Sequence, residues 1–145
     1  MIFVVDASVA VKWTLPGAGS EEHTEEAVAL LAAIEAGVAD VLQPPHWLLE
    51  VAAVLVRLWP EATERIIERL ELMNLATAGD GAIIRRATRL ARELDHHLFD
   101  TLYHAVALER GGVLVTADGR YARKARHLGS VVELRHWSAL SVEPS

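Results

Sequence analysis

The sequence predicts an α/β fold, a central parallel β-sheet flanked by α-helices. Short apolar runs alternate with longer amphipathic segments from one end of the chain to the other, as βα units require. IFVV at 2–5 reads as a buried strand, and VLVT at 113–116 is the clearest strand after it. No repeat, low-complexity tract or linker interrupts the pattern, so one domain is expected over 1–137, with 138–145 as a tail of no clear structure.

Each element rests on local signals. Residues 8–14 form a short helix, stopped by Pro16 and Gly17. Ser20 is the expected N-cap of a helix reaching about Gly37, with Glu21 and Glu22 in its first turn. Residues 40–43 (DVLQ) form a weaker strand. Pro44 and Pro45 open a long helix to about Leu58, since proline is tolerated in a first helical turn. Pro60 starts the next helix, which ends near Met73, and NLATA is a short strand. Two more helices are expected, from Asp80 to about Leu94 and over 98–110, the second closed by Gly111 and Gly112. After VLVT come a helix over about 119–127 and a last strand, VVEL.

Bulk composition narrows the functional classes. Hydrophobic residues make up 52% and charged residues 23% of 145, the balance of a globular chain. With no cysteine there is neither a disulfide scaffold nor a thiolate zinc site. The apolar N-terminal run is broken by Asp6 and Lys12 and does not read as a signal peptide. No run approaches the ~20 apolar residues of a membrane span, and a cytoplasmic location is expected. The net charge of −6 argues against coating nucleic acid through bulk charge, but leaves room for a local basic patch.

Four carboxylates stand out. Asp6 ends the run IFVV, and Asp118 follows VLVTA in the same manner. Ligands of parallel α/β sheets bind beyond the carboxyl ends of strands, although each aspartate would also serve as a helix cap. Glu50 lies in WLLEVAAVLVRLW, a helix apolar on nearly every side and therefore expected to be buried. A buried glutamate is costly unless paired, and a salt bridge to an arginine is the structural alternative. Asp100 sits near the start of another apolar helix, where the helix dipole favours it. If the four converge, their repulsion calls for a bound proton or a cation. Oxygen-only donors suit Mg²⁺ or Mn²⁺, which act at phosphate esters.

The order of these segments resembles a known family. DASV after strand one, the helical glutamate in PPHWLLEVAAVL, FDTLYHAVALERGG and then VLVTADGRYARKA are similar to the PIN-domain toxins of the VapC type, from Asp6 to about Leu134. The resemblance implies a PIN-like three-layer fold with the acids gathered at one sheet edge. It implies a metal-dependent endoribonuclease using Mg²⁺ or Mn²⁺ and acting as a toxin. Asp6, Glu50, Asp100 and Asp118 map to its catalytic site, with Asp6, Asp100 and Asp118 as metal ligands and Ser8 and Thr116 in support. Such toxins act on RNA, commonly form homodimers, and are held inactive by a small VapB-like antitoxin. Thr101 and His104 stand where the family more often has small or apolar residues.

Other groups carry weaker readings. His96, Asp100 and His104 recur at i, i+4 and i+8, a spacing that would suit a transition metal if one helix spanned all three. Arg120, Arg123 and Lys124, with Arg126 and Tyr121, form either a phosphate-binding patch or a solvated face. Arg85, Arg86, Arg89 and Arg92 read as a solvated face. Trp13, Trp47, Trp59 and Trp137 could stack bases, but the apolar segments around Trp47 and Trp59 point to interface burial. A haloacid-dehalogenase-like phosphatase would need an aspartate where Ser8 stands, and a receiver domain a lysine that VLVTAD lacks. A catalytically silent PIN-like RNA- or protein-binding module is the remaining alternative.

Overall fold

The computed structural model describes residues 1–14 and 22–139. Five strands, β1 (Ile2–Val5), β2 (Asp40–Gln43), β3 (Ala76–Thr77), β4 (Val113–Thr116) and β5 (Val131–Glu133), form one sheet in the order β3-β2-β1-β4-β5. Every pairing is parallel. The helices are α1 (Ala7–Thr14), α2 (Thr24–Glu35), α3 (Trp47–Leu58), α4 (Thr63–Leu72), α5 (Gly81–Leu94), α6 (Leu98–Arg110) and α7 (Gly119–Ala125). Two 3₁₀ segments cover Arg126–Leu128 and Leu134–Ala139. The parallel α/β architecture is as expected, and it places the reversal of strand order between β1 and β4. Such a switch point is where open α/β sheets bind ligands.

The core is built on the two central strands. Phe3, Val4, Val5, Leu114 and Val115 are almost wholly buried, because helices cover both faces of the sheet. Helix α6 lies across β1, β2 and β4 and packs along α5. Ile83, Ala87, Leu90 and Leu94 form the buried stripe of α5 at helical spacing. Arg85, Arg89 and Arg92 project to solvent and Arg86 pairs with Glu109, so the arginine stripe is a solvated face.

Several boundaries differ from expectation. Helix α2 begins at Thr24, after His23 in the left-handed region, with Glu22 ahead of it; Ser20, Glu21, Pro16 and Gly17 lie outside the described residues. Helices α3 and α4 start two to three residues past their prolines, because Pro44–His46 and Pro60–Ala62 make the entering turns. The segment after the last strand is a 3₁₀ turn carrying the buried Trp137, and 140–145 lie outside the described residues.

Two larger corrections concern burial. Helix α3 is not buried on all sides: Trp47, Val51 and Leu55 face the core, while Leu49 is 73% and Val56 55% exposed. Trp47 itself is a core residue of its own chain, as are Trp13 and Trp137. Trp13 Nε1 donates to the Ala27 carbonyl and Trp137 Nε1 to the Glu26 carbonyl, each at 2.9 Å, so both indoles pin α2 to the core. Among the described residues, no helix is long and apolar enough to cross a membrane.

Candidate active site

The carboxyl ends of β1 and β4 lie side by side at the switch point. The Asp6 N–H donates to the Val115 carbonyl at 3.0 Å, extending the strand pairing by one residue, and its own carbonyl then accepts from Val9 and Ala10 to start α1. Strand end and helix start are therefore the same residue, which fixes where its side chain emerges.

Two hydroxyls hold the Asp6 carboxylate. Ser8 Oγ donates to Asp6 Oδ2, and the Ser8 N–H adds a second bond at 3.2 Å. Thr116 Oγ1 reaches the same oxygen at 3.5 Å. Each hydroxyl also accepts from the end of β4: Ser8 Oγ from the Ala117 N–H at 3.1 Å, and Thr116 Oγ1 from the Asp118 N–H at 3.0 Å. With their lone pairs taken by backbone donors, both hydroxyl hydrogens are free to point at Asp6. Even so, burial pushes the Asp6 carboxyl up to about 6, against the lowering effect of Ser8, and the charges of Asp100 and Glu50 push the same way.

Asp100 occupies the first turn of α6, with Oδ2 3.1 Å from His96 Nε2. Its carboxyl is also raised, first by burial and then by Glu50, against the lowering effect of His96. Helix α6 begins at Leu98, so His96 reaches Asp100 from the preceding loop. His104 is elsewhere: it is fully buried, with Nδ1 2.9 Å from the Tyr121 hydroxyl and Nε2 2.7 Å from the Gly129 carbonyl. The spacing of His96, Asp100 and His104 therefore does not form a transition-metal face.

Glu50 is reached by a histidine and not an arginine. His46 Nε2 lies 3.0 Å from Glu50 Oε1 and 2.9 Å from the Phe99 carbonyl. The carbonyl and the carboxylate both only accept, so His46 presents its Nε2–H to the two of them. Apart from that imidazole contact Glu50 Oε1 is buried without a hydrogen bond, and the Tyr103 hydroxyl is held in its protonated form by burial and by its interaction with Glu50. The charges of Glu50, Asp6 and Asp100 all act on that hydroxyl and, after burial, raise it further. The His46 ring packs against Phe99 and Tyr103 with centroids 5.3 and 5.0 Å away, tying the start of α3 to the start of α6.

Asp6, Glu50 and Asp100 therefore lie within mutual electrostatic reach. Asp118 is exposed at the same sheet edge, where Oδ1 accepts from the Tyr121 N–H at 3.1 Å and caps α7. Among the described residues, no group of three His, Asp or Glu donors is drawn together tightly enough to enclose an ion. The donor set nevertheless fits a hard divalent cation. Its acids offer carboxylate oxygens, and two of the carboxyls, Asp6 and Asp100, have pKa values raised by burial and mutual repulsion. Mg²⁺ commonly uses one or two carboxylates together with water and substrate phosphate, so a loosely spaced set suits it better than a closed cage.

Sequence reasoning missed His46, Tyr103 and Gln43. Gln43, fully buried, donates through Nε2 to the Val5 carbonyl at 2.8 Å and accepts the Val5 N–H on Oε1 at 2.7 Å. It holds the last residue of β1 where β2 no longer pairs with it. The only signal in the sequence is a lone glutamine ending an apolar strand. Of the basic residues after Asp118, Arg123 turns toward Glu133 at 3.9 Å, whereas Lys124 Nζ donates to the Asp95 carbonyl at 3.0 Å.

Comparison with known proteins agrees with this architecture. The crystal structure of PAE2754 from Pyrobaculum aerophilum superposes with a TM-score of 0.65 at 19% identity, covering 97% of this chain and 95% of that one, a likeness of fold. No curated protein matches the chain. The model of the PIN domain matches residues 3–127. The chain therefore belongs to the PIN-domain family, whose members are typically nucleases.

Proposed function

We propose that this protein is a Mg²⁺- or Mn²⁺-dependent endoribonuclease, the toxin of a toxin–antitoxin pair of the VapC type. The observation that carries the nuclease reading is the approach of Asp6, Glu50 and Asp100 at the β1/β4 switch point, close enough for their charges to add to burial in raising the Asp6 and Asp100 carboxyls. Asp6 and Asp100 are the proposed metal ligands, with Asp118 as a further one, directly or through water. When bound, the ion would supply an activated water and neutralise charge developing on the phosphate.

The chain's own residues do the rest. Ser8 and Thr116 hold Asp6 in one orientation, and His96 does the same for Asp100. Glu50, beside the His46 imidazole that ties the start of α3 to Phe99, completes the acidic wall and is suited to orient the attacking water. A bound cation would relieve the repulsion between the acids and leave positive charge to attract an anionic phosphodiester, which a neutral ester could not use. The toxin role, the VapB-like antitoxin, the homodimer and the cytoplasmic setting rest on the resemblance of the FDTLYHAVALERGG and VLVTADGRYARKA segments to that group.

The test is an RNA cleavage assay with Mn²⁺, with and without EDTA, on wild type and Asp6→Asn. Metal-dependent cleavage lost in Asp6→Asn supports the reading; full activity in that variant sinks the assignment. Absence of cleavage under every metal tried would favour a binding module. Growth arrest on expression of the chain alone, relieved by Asp6→Asn, tests the toxin role.

A further inference from the structure

A cavity of about 330 Å³ opens next to the acidic site, lined by Asp95, His96, His97, Arg120 and Lys124. His96 belongs to both places: it forms part of the cavity wall, and its Nε2 is 3.1 Å from Asp100. Whatever fills the cavity is therefore a direct neighbour of whatever sits over the acids. The wall carries two permanent cations, Arg120 and Lys124, and two imidazoles, against one carboxylate, in a chain whose net charge is −6.

The fold makes this arrangement from both sides. Arg120 and Lys124 are one turn apart on α7, on the same face. Across from them, Asp95 takes the left-handed conformation at the end of α5, which turns the chain so that His96 and His97 run along the cavity before α6 begins. Lys124 Nζ donates to the neutral Asp95 carbonyl, so the lysine is positioned there without surrendering its charge to a carboxylate. Arg123, on the adjacent face, turns instead to Glu133, which also pairs with Arg135, and lines a separate cavity. Helix α7 thus sorts its cations: Arg123 meets an acid, while Arg120 and Lys124 face an open hollow.

We infer that this cavity is a phosphate subsite for the RNA strand, in which Arg120 and Lys124, with His96 and His97, bind the backbone phosphate beside the one held over Asp6, Glu50 and Asp100. The inference rests on the nuclease reading and names how that site grips its substrate. Phosphate contacts of this kind set the register of the strand and carry no base preference. They also add a salt dependence, because each neutralised phosphate releases counterions.

The experiment is fluorescence anisotropy of a labelled single-stranded RNA oligomer on the full chain in EDTA, titrated with monovalent salt. The proteins are wild type, Arg120→Gln, Lys124→Gln and, as an equal loss of charge elsewhere, Arg92→Gln. Lys124→Gln keeps a donor for the Asp95 carbonyl, and far-ultraviolet circular dichroism verifies each fold. Arg120→Gln and Lys124→Gln should each weaken binding about tenfold, equally for oligomers of different sequence. Each should also flatten the slope of log K against log salt by about 0.7, the value for one single-strand phosphate contact. Arg92→Gln should behave as wild type. The inference is overturned if Arg120→Gln and Lys124→Gln keep the wild-type affinity and slope, if Arg92→Gln matches their losses, or if the wild type does not bind the oligomer. Mn²⁺-dependent cleavage is scored separately on the wild type. Cleavage without a slope change removes the subsite and leaves the nuclease; a slope change without cleavage does the reverse.

Discussion

Gln43 places its side-chain amide where a strand neighbour would otherwise be, and closes both backbone hydrogen bonds of Val5, the residue immediately before Asp6. Strand β2 pairs with β1 only through Ile2 and Phe3, so at Val5 the two strands have parted. A buried N–H and C=O would be orphaned there without a side chain that both donates and accepts at the right distance. The position of Asp6 is therefore supported from two sides, by Gln43 below and by Ser8 and Thr116 at the carboxylate.

Gln43→Leu conserves size but leaves both Val5 groups unsatisfied. Each such group costs about 1–3 kcal/mol, and an overall loss of about 2–6 kcal/mol is expected by urea denaturation. Cleavage should fall more than the unfolded fraction explains, because Asp6 loses its anchor. A loss below about 1 kcal/mol would show that β2 closes onto Val5 without the amide.

Asp6 links activity to stability. Its carboxyl protonates at about pH 6 in the folded chain but near 3.8 once unfolding returns it to water, so between these values the folded state binds more protons. Its contribution therefore becomes less favourable as pH rises from about 4 to 6, and the penalty is complete above that. Asp6→Asn should abolish cleavage yet be more stable than wild type by about 2–3 kcal/mol at pH 8. The difference should vanish below pH 4, and Mg²⁺ should raise the Tm of wild type more than that of the variant. Thermal melts across pH test all three; an equal or lower Tm for Asp6→Asn at pH 8 would contradict the repulsion argument.

His104 titrates in the opposite sense. Its Nε2–H is committed to the Gly129 carbonyl and its Nδ1 accepts from the Tyr121 hydroxyl, so the neutral ring is the one that fits, and burial lowers its pKa below 6.5. Its stabilisation is present above pH 6.5 and is lost as the pH falls toward the folded pKa, because the unfolded chain takes up the proton first. His104→Gln should cost about 1–3 kcal/mol at pH 8 and flatten the decline of stability below pH 6.5. Denaturation curves at pH 8 and 5.5 would reveal the change, and an unaltered pH profile would count against it.

Gly112 approaches β1 too closely for any side chain. A Cβ there would lie 2.9 Å from the Ile2 carbonyl oxygen, a backbone atom with no room to retreat inside the sheet. Gly112→Ala should destabilise by about 1–3 kcal/mol, the usual cost of overpacking. By contrast Arg92→Ala, on the exposed face of α5, should stay within ~0.5 kcal/mol of wild type. Urea denaturation of the two variants side by side measures both.

The sequence by itself determined the elements and the residues that end them. Runs of four or five apolar residues rich in valine read as buried strands, glycines and prolines punctuate the segments between elements, and a carboxylate ending such a strand emerges at the sheet edge; hence β1, β4, Asp6 and Asp118 were legible. Amphipathic spacing gave α5 its buried and solvated faces. The burial of α3 was not legible, because composition reports how apolar a helix is and not how many of its faces meet a neighbour; Leu49 and Val56 stay exposed. Only the tertiary structure brought Glu50 within reach of Asp6 and Asp100, since that depends on where α3 and α6 cross the sheet. It also set His46 against Phe99 and Tyr103, placed Gln43 against Val5 and divided Arg120 and Lys124 from Arg123. These are contacts between residues far apart in the chain or on neighbouring faces of one helix. Their geometry is set by packing and hydrogen-bond satisfaction across the whole fold, and no local pattern encodes it.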